Sequence, residues 1–245
     1  MPKEASFTLW PVLALLLVGA AVLVGTYTFL LSFAERTVAE SIQDRLGLEN
    51  EPGVELEGDS LANVLAGEFS GGHIAIEDTQ FGGVRAESTS IDLDPFDISV
   101  LDSVSSGVLR SEEPLSGILR VGIPEEEVAR LARAGADVPV RGVDLSGDGV
   151  LVRSAAPMFG VEIPVSILGT LHLGGEELVF EPQRVEALGS ALPEGLAERA
   201  LAGTDFAYPL GALPYGAKIS DVEVQEGRLI LTGEVERIPL GDSGS

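Results

Sequence analysis

The side chains able to do acid–base or metal chemistry are few. The chain of 245 residues has two histidines, His73 and His172, and no cysteine. Without cysteine there is no thiolate nucleophile, no cysteine-ligated zinc or iron–sulfur site, no disulfide framework and no lipidated-cysteine anchor. Neither histidine has a glutamate or a second histidine at metal-ligand spacing. Both fall in alternating patterns typical of strands, His172 on the polar side, as ordinary surface histidines do. The nucleophile-elbow, P-loop and zincin patterns do not occur. A Ser–His–Asp triad is defined by geometry rather than spacing, but two histidines give it little material.

Acidic groups are abundant yet poorly placed for catalysis. Asp144, Ser146 and Asp148, followed by Gly149, imitate the opening of an EF-hand loop. Such a loop needs a bidentate acid at its twelfth position, and that position is Ala155. Its flanks alternate like strands, so the segment is expected to be a glycine-rich hairpin turn without a specific calcium site. Glu112-Glu113 and Glu176-Glu177 are paired carboxylates beside proline or glycine. Glycosidase carboxylates flank a substrate in a cleft, whereas these read as solvated turn residues. No catalytic residue, metal or cofactor is assigned, and the chain is not expected to be an enzyme.

The elements that would carry any site are mostly strands. From Val54 onward the dominant period is two. In Val161–Leu173, Val161, Ile163, Val165, Ile167, Leu171 and Leu173 point one way, and Glu162, Ser166, Thr170 and His172 the other. Shorter runs are His73–Phe81, Val84–Leu93, Gly117–Ile123, Val138–Leu145, Val150–Ser154, Leu178–Pro182, Lys218–Gln225 and Arg228–Val235. Turn signals separate them at Gly82-Gly83, Gly147-Asp148-Gly149, Gly174-Gly175 and Glu226-Gly227. Short turns imply antiparallel neighbours. Three short helices are predicted: Ser60–Ala66 behind an N-cap serine, Pro124–Ala134 with Glu125, Glu126 and Glu127 at its positive end, and Pro193–Leu201. The fold class is α+β, a long antiparallel sheet with a few helices packed on one face.

The N-terminus differs in kind. No charge lies between Glu4 and Glu35, and the apolar stretch Leu9–Phe33 is long enough to cross a hydrocarbon core of about 30 Å. A cleaved signal peptide is the rival, with Ser32-Phe33-Ala34 resembling a cleavage site, although its apolar region is usually only about 7–15 residues. Lys3 on one side is balanced by Arg36 and Arg45 on the other, so charge gives no orientation. A short charged tail before a first hydrophobic helix is the usual form of a signal anchor, which puts the C-terminal part outside the cytoplasm. Ala34, Val38, Ile42 and Leu46 continue the helix at four-residue spacing until Gly47 stops it. The net charge of −24 excludes a nucleic-acid footprint and repels anionic headgroups.

The inward-facing strand residues are mostly Val, Ile and Leu. Such a surface is either a core covered by helices or the wall of an elongated apolar pocket suited to acyl chains. The wall candidates are Ile163, Val165 and Ile167, with Leu229 and Leu231 on another strand.

Several segments have a familiar layout: the hydrophobic N-terminus, the Ala34–Leu46 helix, the acidic Val54–Gly58 strand, Leu61–Phe69 with Leu65-Ala66-Gly67, and the run from His73. Nearer the C-terminus come Tyr208-Pro209-Leu210-Gly211-Ala212-Leu213-Pro214-Tyr215-Gly216, then Lys218–Val224 and Gly227–Gly233. Over roughly Ala34 to Leu240 the chain resembles the LmeA-like family of bacterial envelope proteins, which are linked to phospholipid binding. The resemblance implies a fold like the tubular lipid-binding proteins, in which a curved sheet wraps a helix and encloses a lipid-sized groove. It supplies no catalytic residues. The family's Gly-Phe-Pro-Phe segment reads Gly58-Asp59-Ser60-Leu61 here, so no role of those aromatics carries over. The expected organisation is a cytoplasmic tail and transmembrane anchor (1–33), an extracytoplasmic lipid-binding-like domain (34–240) and a disordered tail (241–245). The expected partners are a phospholipid or other acyl lipid and, through residues 9–33, the bilayer. The expected function is to present or shuttle lipid for envelope maintenance; the alternative is an envelope structural protein with a filled core.

Overall fold

Helix α1 runs unbroken over Leu9–Leu46 in the computed structural model. The structure describes residues 9–81, 83–99, 103, 111, 113–136, 138–158, 161–187, 189–201, 206–210 and 216–238. The predicted N-terminal tail before Leu9, Gly82, Glu112, the Gly211–Tyr215 part of the C-terminal motif and the tail 241–245 lie outside the described residues. Gly47 ends α1 in the left-handed region at φ 62°, and the Leu48 N–H closes the helix on the Gln43 carbonyl at 3.0 Å. The predicted stripe is the one buried: Ala34, Val38 and Ile42 join the core, and Tyr27, Leu30 and Leu31 pack partly against it. Residue 33, the expected anchor–domain boundary, lies within this continuous helix.

The fold is α+β as expected, and its antiparallel strands are laid out as two sheets of six. The first has the order β1 (Gly53–Glu57), β3 (Gly71–Phe81), β4 (Val84–Leu93), β6 (Leu115–Pro124), β14 (Arg228–Ile238), β13 (Lys218–Gln225). The second has the order β11 (Ser190–Ala191), β10 (Glu177–Ala187), β9 (Val161–Gly174), β8 (Gly149–Met158), β7 (Gly142–Ser146), with β12 (Phe206–Pro209) also on β10. A ribbon of β2 (Glu68–Phe69) and β5 (Phe96–Asp97) stacks Phe69 on Phe96 with ring centres 5.2 Å apart. The division follows from hairpin order. Residues 142–209 pair among themselves through local turns, so they close as their own sheet, inserted between β6 and β13 of the first. The strand predicted from Val138 begins only at Gly142, since Pro139 has no N–H for a ladder and its carbonyl accepts from the Ser154 hydroxyl at 3.0 Å.

Breaks in the ladders set which side chains face inward. In β3, Ile74 and Ile76 are buried, then Asp78 takes φ 49°, and it and Glu87 opposite drop out of the ladder between Glu77↔Ser88 and Thr79↔Ala86 without a change of register. There the alternation reverses in both strands, so Thr79 turns inward and Phe81 becomes half-buried, opposite buried Val84 and Ala86. Thr79 and Thr89 satisfy each other in the core at 3.0 Å. In β10 a shift beside Pro182 lets the strand continue to Ala187, past the end that proline suggests. Gly169 on β9 has no side chain because a Cβ would come within 2.6 Å of the Phe180 ring.

Helices α2 (Leu61–Ala66), α3 (Glu125–Gly135) and α4 (Glu194–Leu201) match the three predicted. The start of α3 ties the sheets together. The Glu125 N–H donates to the Gly227 carbonyl, and the Gly227 N–H donates to the Leu145 carbonyl, each at 3.1 Å. The Glu125 carboxylate accepts the Leu145 N–H at 2.7 Å. Both sheets then share one apolar core, with Ile167, Phe180 and Leu229 at zero exposure. Each such side chain contributes about 1.5–3 kcal/mol relative to exposure.

Candidate functional site

The polar groups singled out from the sequence belong to turns and outer faces. Asp144 lies on β7 in an ion pair with Arg153, and Asp148 is exposed in the tight turn between β7 and β8. Ala155, at the position of the twelfth ligand, is a buried residue of β8. Glu176 is in the β9–β10 turn, Glu113 is exposed, and His172 is exposed on β9. His73 projects from the outer face of the first sheet, where its Nδ1 donates to Asp92 at 2.7 Å and Arg120 pairs with the other carboxylate oxygen. The His73 bond above all, with Arg120 helping, holds the Asp92 carboxyl below the usual carboxylate range against the opposing effect of burial. Among the described residues no three His, Asp or Glu side chains gather as metal ligands.

One buried carboxylate was read from the sequence only as a helix-dipole residue. Glu127 on α3 is 8% exposed and accepts the Arg85 N–H at 2.8 Å. Arg130 donates to it at 2.8 and 2.6 Å and also reaches the Gly83 carbonyl at 2.6 Å. The Arg130 bonds lower the Glu127 pKa, against desolvation, and Glu127 in turn raises that of Arg130. Fully satisfied in this way, the group clamps α3 onto the β3–β4 hairpin.

The predicted wall is brought together in part. Val165, Ile167, Leu229 and Leu231 come from opposite sheets into the shared core at 3% exposure or less, while Ile163 is only half-buried and Val161, expected on the same face, is 60% exposed. The sheets part at a different place. Phe81, Val84, Ala86, Val121, Ile123, Leu210 and Leu231 line an apolar cavity of about 10 Å³. That is the space of about one water molecule, so an acyl chain enters only if the cleft widens. Of the five predicted wall residues only Leu231 lines it. Phe81 escapes the pattern because the alternation reverses at the Asp78–Glu87 break, and Leu210 because it belongs to the proline- and glycine-rich segment that carries no alternation. Leu210 is buried at the end of β12, and its N–H is held by the Glu176 carbonyl. It therefore spans from the second sheet to the lining of the first.

No curated protein and no solved structure matches the chain. A family model does, that of the LmeA-like phospholipid-binding proteins, over residues 25–234. The match starts earlier than the resemblance at Ala34, within the apolar half of α1, and takes in Tyr27, both sheets and the Leu210 segment. With an aliphatic seam between two antiparallel sheets and a match over most of its length, the chain belongs to the LmeA-like phospholipid-binding family.

Proposed function

We propose that this is a non-catalytic, membrane-anchored protein that binds phospholipid and presents or shuttles it for cell-envelope maintenance. Residues 9–33 hold it in the bilayer, and residues 34–240 lie outside the cytoplasm. The observation that carries lipid binding is the family membership of a chain whose two sheets share one largely aliphatic core, with a small apolar cavity lined in part by Leu210. Anchoring is supported by α1, which is the one helix among the described residues long and apolar enough to cross a membrane. An uncut chain is supported by the continuity of α1 through Ser32-Phe33-Ala34, with packed residues on both sides of that point. Native mass spectrometry of the detergent-extracted full chain tests the reading: a phospholipid should appear as added mass, and the protein should stay in the membrane fraction after carbonate washing.

A structural protein of the envelope with a filled core is the second reading, and the small volume of the cavity favours it. A bare protein mass that added phospholipid does not change would select it.

A further inference from the structure

The Tyr27 hydroxyl donates to the Gly58 carbonyl at 3.2 Å. This fixes where the globular part meets the bilayer, if α1 is the anchor proposed above. With Leu9 at one face of the hydrocarbon core, Tyr27 lies about 27 Å along the axis at 1.5 Å per residue, still inside a core of about 30 Å. Helical side chains also lean toward the N-terminus, which carries the hydroxyl, and Gly58 with it, further toward the membrane. Sliding the helix outward is opposed by Phe29 and Phe33, which are 70% and 41% exposed and need apolar cover.

The segment held at that level is suited to lipid. Ser60–Gly67 has no charged residue in a chain of net charge −24. Its helix α2 turns Val64 into the core and leaves Ala62, Leu65 and Ala66 exposed, Leu65 at 49%. The seat is rigid. A Cβ on Gly58 would lie 2.3 Å from Val64, so only glycine lets α2 close against α1 at Tyr27. Ser60 caps the Asn63 N–H at 3.2 Å, and the Gly67 carbonyl accepts the Ile98 N–H at 2.8 Å. A rigid, uncharged, exposed helix beside a transmembrane span, at the depth where that span leaves the hydrocarbon, is an interfacial element.

We propose that α2 is a membrane foot: it lies in the headgroup–acyl boundary of the same bilayer that holds α1, with Leu65 inserted. The occupant of this face is phospholipid, recognised by apolar burial rather than by charge, since Glu57, Asp59 and Glu68 flank α2 with negative charge. Insertion therefore does not require anionic lipid. It also sets the tilt of the whole domain and puts the Leu210 cavity at the far end of the first sheet. Gly58 follows β1 at the start of β3, whereas Phe81 and Val84 form the opposite end of the β3–β4 hairpin.

The inference rests on the anchored reading, and one experiment separates the two. The chain has no cysteine, so single probes can be placed without background. Leu17→Cys, Leu65→Cys and Glu226→Cys, each carrying an environment-sensitive fluorophore, are reconstituted as full-length protein in phosphatidylcholine vesicles with or without lipid spin-labelled near the headgroup. The expected result is a blue shift and loss of emission to the spin label at Leu65, blue-shifted emission at Leu17, and neither at Glu226 in the distal β13–β14 turn. Ala66→Cys repeats the reading on the same exposed face. A Leu17 probe in lipid with both α2 probes behaving like Glu226 overturns the foot and leaves the anchor. A Leu17 probe in water overturns the anchor, and the foot with it.

Discussion

The Leu210 N–H donates to the Glu176 carbonyl at 3.1 Å, and this bond holds a side chain next to β12 over the lining of the opposite sheet. Leu210 lines the apolar cavity between β3, β4, β6 and β14, so its size bears on how much room the cavity offers. Leu210→Ala should enlarge the cavity and lower stability by about 2–5 kcal/mol, the usual range for a buried leucine truncated to alanine. In the variant, a fluorescent phospholipid analogue should be taken up faster. Thermal unfolding and uptake kinetics on the same sample check both halves; unchanged uptake in a folded variant would mean that lipid does not pass Leu210.

Val165 separates wall from core. It is 3% exposed on β9 and lies across from Ser154 and Ala187. In a close-packed setting Val165→Trp overpacks and should cost roughly 1–3 kcal/mol or more. Chemical denaturation gives the cost directly. A variant of wild-type stability that no longer retains phospholipid would instead assign this stretch of β9 to a ligand space.

The Glu127 clamp makes a prediction with a sign. Its pKa is lowered in the folded state, so the stabilisation is complete above the ordinary carboxylate value of about 4.3 and is lost as the pH falls through the lower folded value. Glu127→Gln should therefore cost about 1–3 kcal/mol at neutral pH, where a charged partner of Arg130 is removed. The gap to wild type should close in acid. Urea midpoints at neutral and acid pH measure it; a gap independent of pH would assign the loss to packing alone.

Calcium should find no specific site at Asp144–Gly149. Asp144 is already paired with Arg153, and Ala155 offers no ligand. Calorimetry at micromolar calcium should be flat for wild type and for Asp148→Ala alike, and a stoichiometric isotherm abolished by that substitution would contradict the hairpin reading.

Much of this was legible from alternation alone, because a half-buried strand must put apolar residues on one side. Val84–Leu93 and Lys218–Gln225 are strands with the very bounds their pattern implies, and α1 buries the stripe containing Ala34, Val38 and Ile42. What alternation does not encode is phase slippage and partner choice. The inward face reverses in β3 and β4 together at Asp78 and Glu87, so Phe81 reaches the cavity although no simple pattern places it there. The pairing of Leu229 with Ile123 joins segments far apart in sequence, and nothing local to either announces it. The position of Leu210 follows from the long-range pairing of β12 with β10, which the bond to Glu176 extends by one residue and which no sequence period reports.

That Leu229–Ile123 ladder has a consequence for how the molecule is made. β14 is the last described strand, yet it sits inside the first sheet, between β6 and β13. Residues 142–209 can zip up hairpin by hairpin as they emerge, while β6 waits with one edge bare until Arg228–Ile238 arrives. Closing so long a loop is entropically costly and slow compared with forming hairpins. Until then the aliphatic side of β4 and β6 is uncovered beside an open strand edge, which invites pairing with another chain. A chain cut short before Arg228 would keep its second sheet and stay in that sticky intermediate, making assembly of the first sheet the step on which its yield depends.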